Sequence, residues 1–203
     1  MGKITAKEEK KTIHKFNPKI VLYSSEYNKL TTGFKCGKPI FDEYLCEQAL
    51  EEMSSGDGVT YIILDEDENV LIAYYTISTS TVHFVDMYDY EDEEIPEEKK
   101  RKHYSPISSV IINMFAVNSK YQDCIYKGEI VSDLIIQAII GRIYNMSTSI
   151  IGAKMIILCS VPDAVDFYKR NNFKELPPEL TLFDHIDLSG NKAMYLTLHC
   201  SGQ

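Results

Sequence analysis

"KYQDCIYKGEIVSDLIIQAII", residues 120–140, passes from a polar loop into a long apolar stretch at helical spacing, with one glycine, Gly128, at the join. Just before it, "SSVIINMFAV" (108–117) is a nearly continuous apolar run, the pattern of a strand buried on both faces. Just after it, "MIILCS" (155–160) is a second such strand, and "VPDAVDFYKRNNF" (161–173) is a short helix opened by Pro162 and Asp163. Two buried strands joined by a loop and a long helix make a βαβ unit, with a right-handed crossover and strands able to run parallel. In such a unit ligands favour the carboxyl ends of the strands, beside the N-terminus of the following helix. Unpaired N–H groups and a partial positive charge suit that end of a helix to an anion such as a phosphate. The loop at residues 120–130 sits in that place.

Working outward, "KIVLY" (19–23) reads as a first strand. "GKPIFDEYLCEQALEEM" (37–53) puts Ile40, Phe41, Tyr44, Leu45, Ala49 and Met53 on one helical face, with Pro39 in the first turn. "VTYIILDEDENVLIAYYTIS" (59–78) is two β-rich runs around an acidic turn containing Asn69, a hairpin pattern. Residues 86–104 change from acids to bases within one block, as a solvated helix or loop does, and "KAMYLTL" (192–198) is a final strand. Neither an internal repeat nor a linker interrupts the order.

At 203 residues and 44% apolar content the chain is sized for one domain, residues 1–203, in which 1–18 form a flexible basic N-terminal segment. A net charge of −9 and a pI near 5.1 argue against a protein that coats nucleic acid or anionic membrane. Basic residues cluster only in "KEEKKTIHK" (7–15) and "KKRKH" (99–103). The five cysteines, Cys36, Cys46, Cys124, Cys159 and Cys200, include no C-x-x-C pair and no histidine at ligand spacing, so neither metal nor disulfides are expected. No apolar run approaches the roughly 18 residues of a membrane helix, and the expectation is a soluble, cytoplasmic protein with reduced thiols.

With the elements in this order, "FAVNSKYQ", the glycine-containing loop, the long helix and "MIILCSVPDAVDFYKRNNF" together resemble the core of the GNAT superfamily of acetyl-CoA-dependent N-acetyltransferases. Ala164, Phe167, Tyr168 and Phe173 match that superfamily's A-x-x-F-Y element. Upstream, "FKCGKPIFDEYL" (34–45) is similar to the opening of the GNAT-type toxins of bacterial toxin–antitoxin modules, and the likeness runs over residues 19–198. The resemblance implies an α/β fold, a mixed central sheet flanked by helices. It also implies an acetyl-CoA-dependent transfer to an amine-bearing substrate, with aminoacyl-tRNA, an antitoxin protein and a homodimer as implied partners, and no membrane.

The resemblance further assigns residues. Tyr168 becomes the general acid for the departing thiolate. The backbone from Met114 through Phe115 and Ala116 to Val117 polarises the thioester carbonyl and holds pantetheine. Gln122, Asp123, Cys124, Tyr126, Lys127, Gly128 and Glu129 form the pyrophosphate loop, and Ser160 lies at the end of the next strand. No general base stands out; Asn113 and Ser160 are near the right strand ends, and a water relay serves as well. Each assignment has a plainer counterpart: Tyr168 as a core tyrosine, Gly128 as a turn residue, Cys124 without an activating histidine. The loop has one glycine where the family has several, and Asp123 and Glu129 oppose a pyrophosphate while Lys120 and Lys127 offset them. A second function class therefore stands beside the enzyme: a GNAT-like binding or interaction module with a degenerate CoA loop.

Overall fold

The computed structural model describes residues 11–67, 69–87, 102–182 and 190–198. Most of the acidic-to-basic block, and the bases at 7–10 and 99–101, lie outside the described residues. Eight strands form a mixed sheet with the hydrogen-bonded order β1-β2-β3-β4-β7-β10-β8, in which a further short strand, β9, pairs with β3, and β5 and β6 form a separate two-stranded sheet. Their ranges are β1 Pro18–Leu22, β2 Val59–Asp65, β3 Val70–Met87, β4 Lys102–Val117, β5 Ile125–Tyr126, β6 Glu129–Ile130, β7 Met155–Ser160, β8 Lys174–Glu175, β9 Leu180–Thr181 and β10 Lys192–Thr197. The helices are α1 Asn28–Thr31, α2 Pro39–Glu43, α3 Ala49–Ser55, α4 Val131–Ser149 and α5 Val165–Arg170. This is the α/β fold that the resemblance implied.

The chain divides into two compact units, Met1–Thr76 with Met114–Ala138 and Ile77–Asn113 with Ile139–Gln203. In the first, β1 runs antiparallel to β2 from Pro18↔Asp65 to Leu22↔Tyr61, and β2 turns into β3 through an Asx turn in which Asp65 accepts the Asp67 N–H at 3.1 Å. The expected helix at 37–53 is α2, a π-helical turn at Tyr44–Gln48, and α3. Tyr44, Leu45 and Ala49 are buried as the periodicity requires, whereas Ile40 is 67% exposed. The residue that turns inward beside it is Asp42, whose carboxylate accepts the Cys36 N–H at 2.8 Å and so ties α2 to the loop before it. Tyr74 donates to the Phe41 carbonyl at 2.7 Å and Tyr44 to Glu52 at 2.6 Å, so both buried phenols have partners. Burial and the neighbouring Glu52 push Tyr44 up to about 12.

The second unit contains the remainder of β3 and β4 with β7, α5 and the last strands. β7 runs parallel to β4 from Ser109↔Met155 to Ile112↔Leu158, which makes the βαβ unit read from the sequence. β10 is antiparallel to β7 along its whole length, and Val82, Met155 and Ile157 form a core with Ile107, Ile111, Leu176, Leu180 and Tyr195 around it. β4 differs from the expected strand buried on both faces: Asn113 is exposed and Met114 and Phe115 are half-buried. Strands also occupy the described flanks of the 86–104 block, since β3 runs to Met87 and β4 begins at Lys102.

Candidate functional site

The pairing of β4 with β7 ends at Ile112↔Leu158, five residues before β4 itself ends. Beyond that point β7 does not pair with β4 among the described residues, so the edge at Asn113–Ala116 offers main-chain groups in an extended conformation. Ala116 and Val117 are buried, at 6% each, and Asn118 anchors the end of the strand to β3 through its N–H on the Ile72 carbonyl at 2.7 Å and its side-chain amide on the Leu71 carbonyl at 3.1 Å.

A chain of turns follows. Lys120 N–H donates to the Asn118 side chain at 3.1 Å, Tyr121 N–H to the Asn118 carbonyl at 2.8 Å, and Cys124 N–H to the Tyr121 carbonyl at 3.3 Å. Gln122 is the clip of this region: its side-chain nitrogen donates to the Cys36 and Val117 carbonyls, each at 2.8 Å. Both amide hydrogens are thereby engaged, so the side chain holds the end of β4 to the "FKCG" segment and has no donor left for a ligand. The Cys124 thiol is buried and donates to the Lys120 carbonyl at 3.0 Å. Burial raises its pKa against an opposing pull from Lys11, which keeps it a thiol rather than a nucleophile at neutral pH.

The loop then forms a small hairpin instead of running straight into a helix. β5 and β6 pair Ile125↔Ile130 and Tyr126↔Glu129, and Lys127 and Gly128, at φ 51° and 88°, make the two-residue turn. Positive φ at both central positions is the type I′ requirement, which glycine meets at no steric cost. Lys127 lies over the Tyr126 ring, 5.1 Å from its centroid. β6 leads directly into α4, whose first N–H, that of Val131, donates to the Cys124 carbonyl at 2.9 Å. The Ser132 hydroxyl donates to the Gln122 carbonyl at 3.3 Å, a second tie between the loop and the start of α4. Asp133 places a carboxylate in the first turn, and Asp123 and Glu129 are exposed close by in sequence.

The loop is also held from a part of the chain expected to be flexible. Ile125 donates to the Lys11 carbonyl and accepts from the Ile13 N–H, both at 2.9 Å, and the Phe16 and Tyr126 rings lie 5.4 Å apart. The sequence signals for this arrangement were a Lys-Gly pair between "CIY" and "EIV", a short-hairpin pattern, and nothing at all for segment 11–16.

In the second unit, Tyr168 lies on α5 and is 8% exposed. Its ring meets those of Phe167 and Phe173 edge-on, at 5.0 and 5.5 Å. Among the described residues its hydroxyl has no hydrogen-bond partner, and burial raises its pKa, so the phenol stays protonated at neutral pH. Phe173 and Asn171 N–H groups both donate to the Tyr168 carbonyl at 3.0 Å, and Asn172 adopts φ 70°, the left-handed conformation that an asparagine tolerates in place of glycine. Ser160 is 1% exposed and its hydroxyl donates to the Val161 carbonyl at 2.9 Å, while Asn113 donates to Ser78 at 2.9 Å. Among the described residues no group of His, Cys, Asp and Glu is arranged to hold a metal ion, and no helix is long and apolar enough to cross a membrane.

No family model matches the chain. Solved structures do. A crystal structure of a bacterial toxin is 20% identical, covers 90% of this chain and 91% of its own, and has a TM-score of 0.62. A crystal structure of AtaTR bound with acetyl-CoA is 17% identical, with 89% and 94% covered and a TM-score of 0.60. AtaT complexed with acetyl-methionyl-tRNAfMet is 17% identical, with 89% and 95% covered and a TM-score of 0.59. The chain therefore has the fold of these structures over about nine-tenths of its length.

Proposed function

We propose that this protein is an acetyl-CoA-dependent N-acetyltransferase acting on a primary amine, with the α-amine of an aminoacyl-tRNA as acceptor. The observation that carries this reading is the end-to-end likeness to toxin structures that include one with acetyl-CoA and one with acetyl-methionyl-tRNA. Acetyl-CoA supplies the activated acetyl group, and the acceptor amine attacks it directly. Two features of this chain fit such a donor: the edge of β4 at Met114–Val117 that β7 does not pair, and the start of α4, where the helix dipole is positive. On β4, Phe115, Ala116 and Val117 offer main-chain groups to the pantetheine arm and an N–H to the thioester oxygen, where developing charge is stabilised. At α4, Asp123, Cys124 and Tyr126 to Glu129 shape the approach to the pyrophosphate, with Lys120 and Lys127 supplying positive charge. Gln122 contributes by holding the loop, since its amide hydrogens are engaged. Tyr168, a neutral phenol whose pKa burial raises, donates its proton to the leaving sulfur.

In a toxin-like setting the protein partner would be an antitoxin; the neighbours include AtaT bound to the C-terminus of the antitoxin AtaR and a KacTA–DNA complex. A second reading has its own observation. A pyrophosphate loop with one glycine at a hairpin tip and acids at Asp123, Glu129 and Asp133 fits a GNAT-like interaction module that no longer grips CoA. Calorimetric titration with acetyl-CoA and CoA separates the two. The enzyme reading expects saturable binding together with thiol release that depends on added methionyl-tRNA, and absence of binding at millimolar CoA defeats it.

A further inference from the structure

The hairpin β5–β6 has two residues per strand, and a two-stranded hairpin of that size is at best marginal by itself in water. Tyr126↔Glu129 and Ile125↔Ile130 are its only pairs, and the backbone N–H and C=O of Ile125 point away from β6, to Lys11 and Ile13. Thr12 forms an isolated parallel bridge with Ile125, so residues 11–13 lie along the hairpin's free edge, held by two backbone hydrogen bonds. Phe16, half-buried, then packs on Tyr126, whose ring also carries Lys127. Because β6 ends at Ile130 and α4 begins at Val131, the hairpin cannot shift without carrying the first turn of α4 with it.

We propose that segment Lys11–Phe16 is a brace that positions the donor-binding loop, with Ile13 and Phe16 as positioning residues that set the affinity for acetyl-CoA through the β5–β6 hairpin and the start of α4. The segment does by external pairing what several glycines do in a nest that wraps phosphate directly: it fixes the direction of the loop's backbone amides. The inference rests on the acetyltransferase reading. Coupling of this kind is reciprocal, so a donor bound at the loop must in turn tighten the pairing of residues 11–13 with Ile125.

The test uses the full chain and two variants. Ile13→Pro removes the N–H that Ile125 accepts, and Phe16→Ala removes the ring on Tyr126 while leaving every backbone hydrogen bond in place. Amide hydrogen exchange at Ile125 is read with and without CoA, and the CoA dissociation constant is read by calorimetry. The expected result is faster exchange at Ile125 in both variants, CoA affinity weakened by about tenfold, a size typical of coupled sites, and slower exchange at Ile125 in wild type when CoA is added. The rate at saturating acetyl-CoA stays at the wild-type level, because Tyr168 is untouched. Faster exchange with unchanged CoA affinity overturns the proposal and leaves the segment a packing contact only; so does unchanged exchange in Ile13→Pro. A wild-type protein that binds no CoA defeats the acetyltransferase reading, and the positioning role falls with it, whereas a wild type that binds and variants that bind equally defeat the positioning role alone.

Discussion

The loop at 120–130 and the turn around Tyr168 are held in opposite ways. Tyr168 is fixed by neighbours in sequence: Phe167 and Phe173 meet its ring, and Asn171 and Phe173 close onto its carbonyl. The loop is fixed by distant ones: Cys36 through Gln122, and Lys11 and Ile13 through Ile125. Local packing makes the first robust to change elsewhere in the chain. The second depends on single directional bonds, each with a partner about ninety or more residues away, so it is more open to disruption.

The largest effect should come from Tyr168→Phe, which keeps the ring packing and removes only the proton donor. Thiol release is expected to fall by about 100-fold with CoA affinity unchanged; an equal loss of both would make Tyr168 a packing residue. Next, Gln122→Ala leaves the Cys36 and Val117 carbonyls without their donor and should lower the unfolding free energy by about 2 to 3 kcal/mol in urea titration, with weakened CoA binding. An unaltered midpoint would mean that the loop does not rely on the clip. Gly128→Ala is smaller: no atom lies within 4 Å of an added Cβ, so only the left-handed φ of 88° opposes it, at about 1 kcal/mol. The smallest effect is with pH. Burial holds the folded Tyr168 pKa above its unfolded value near 10. Its contribution to stability is thus complete below about pH 10 and declines as pH rises beyond it. Thermal melts of Tyr168→Phe should show a shallower decline there than wild type; identical curves would place the phenol in water.

The fold was legible because its signals are periodic. Apolar runs at 108–117 and 155–160 with a helical run between them admit little besides a parallel βαβ unit, and β4 and β7 form one. The hairpin at 59–78 and the buried Tyr44, Leu45 and Ala49 follow from the same reasoning. Ile40 departs from it because the helix begins with Pro39 and turns Asp42 inward to accept the Cys36 N–H. The loop was legible only as a location. Its positive-φ pair Lys127–Gly128 carries a local signal, but the pairing of Ile125 with residues 11 and 13 carries none, because backbone hydrogen bonds between distant segments have no side-chain pattern.

By itself the sequence determined the order of elements, the place of a loop at the carboxyl end of β4 and the aromatic neighbours of Tyr168, since each depends on residues adjacent or periodic in the chain. Tertiary structure alone decided that Gln122 is a clip between two carbonyls, that Gly128 tips a hairpin and that segment 11–16 braces it. The physical reason is one of range: side-chain burial repeats with local periodicity, whereas the partner of a buried donor is fixed only once the folded chain brings a distant acceptor within about 3 Å.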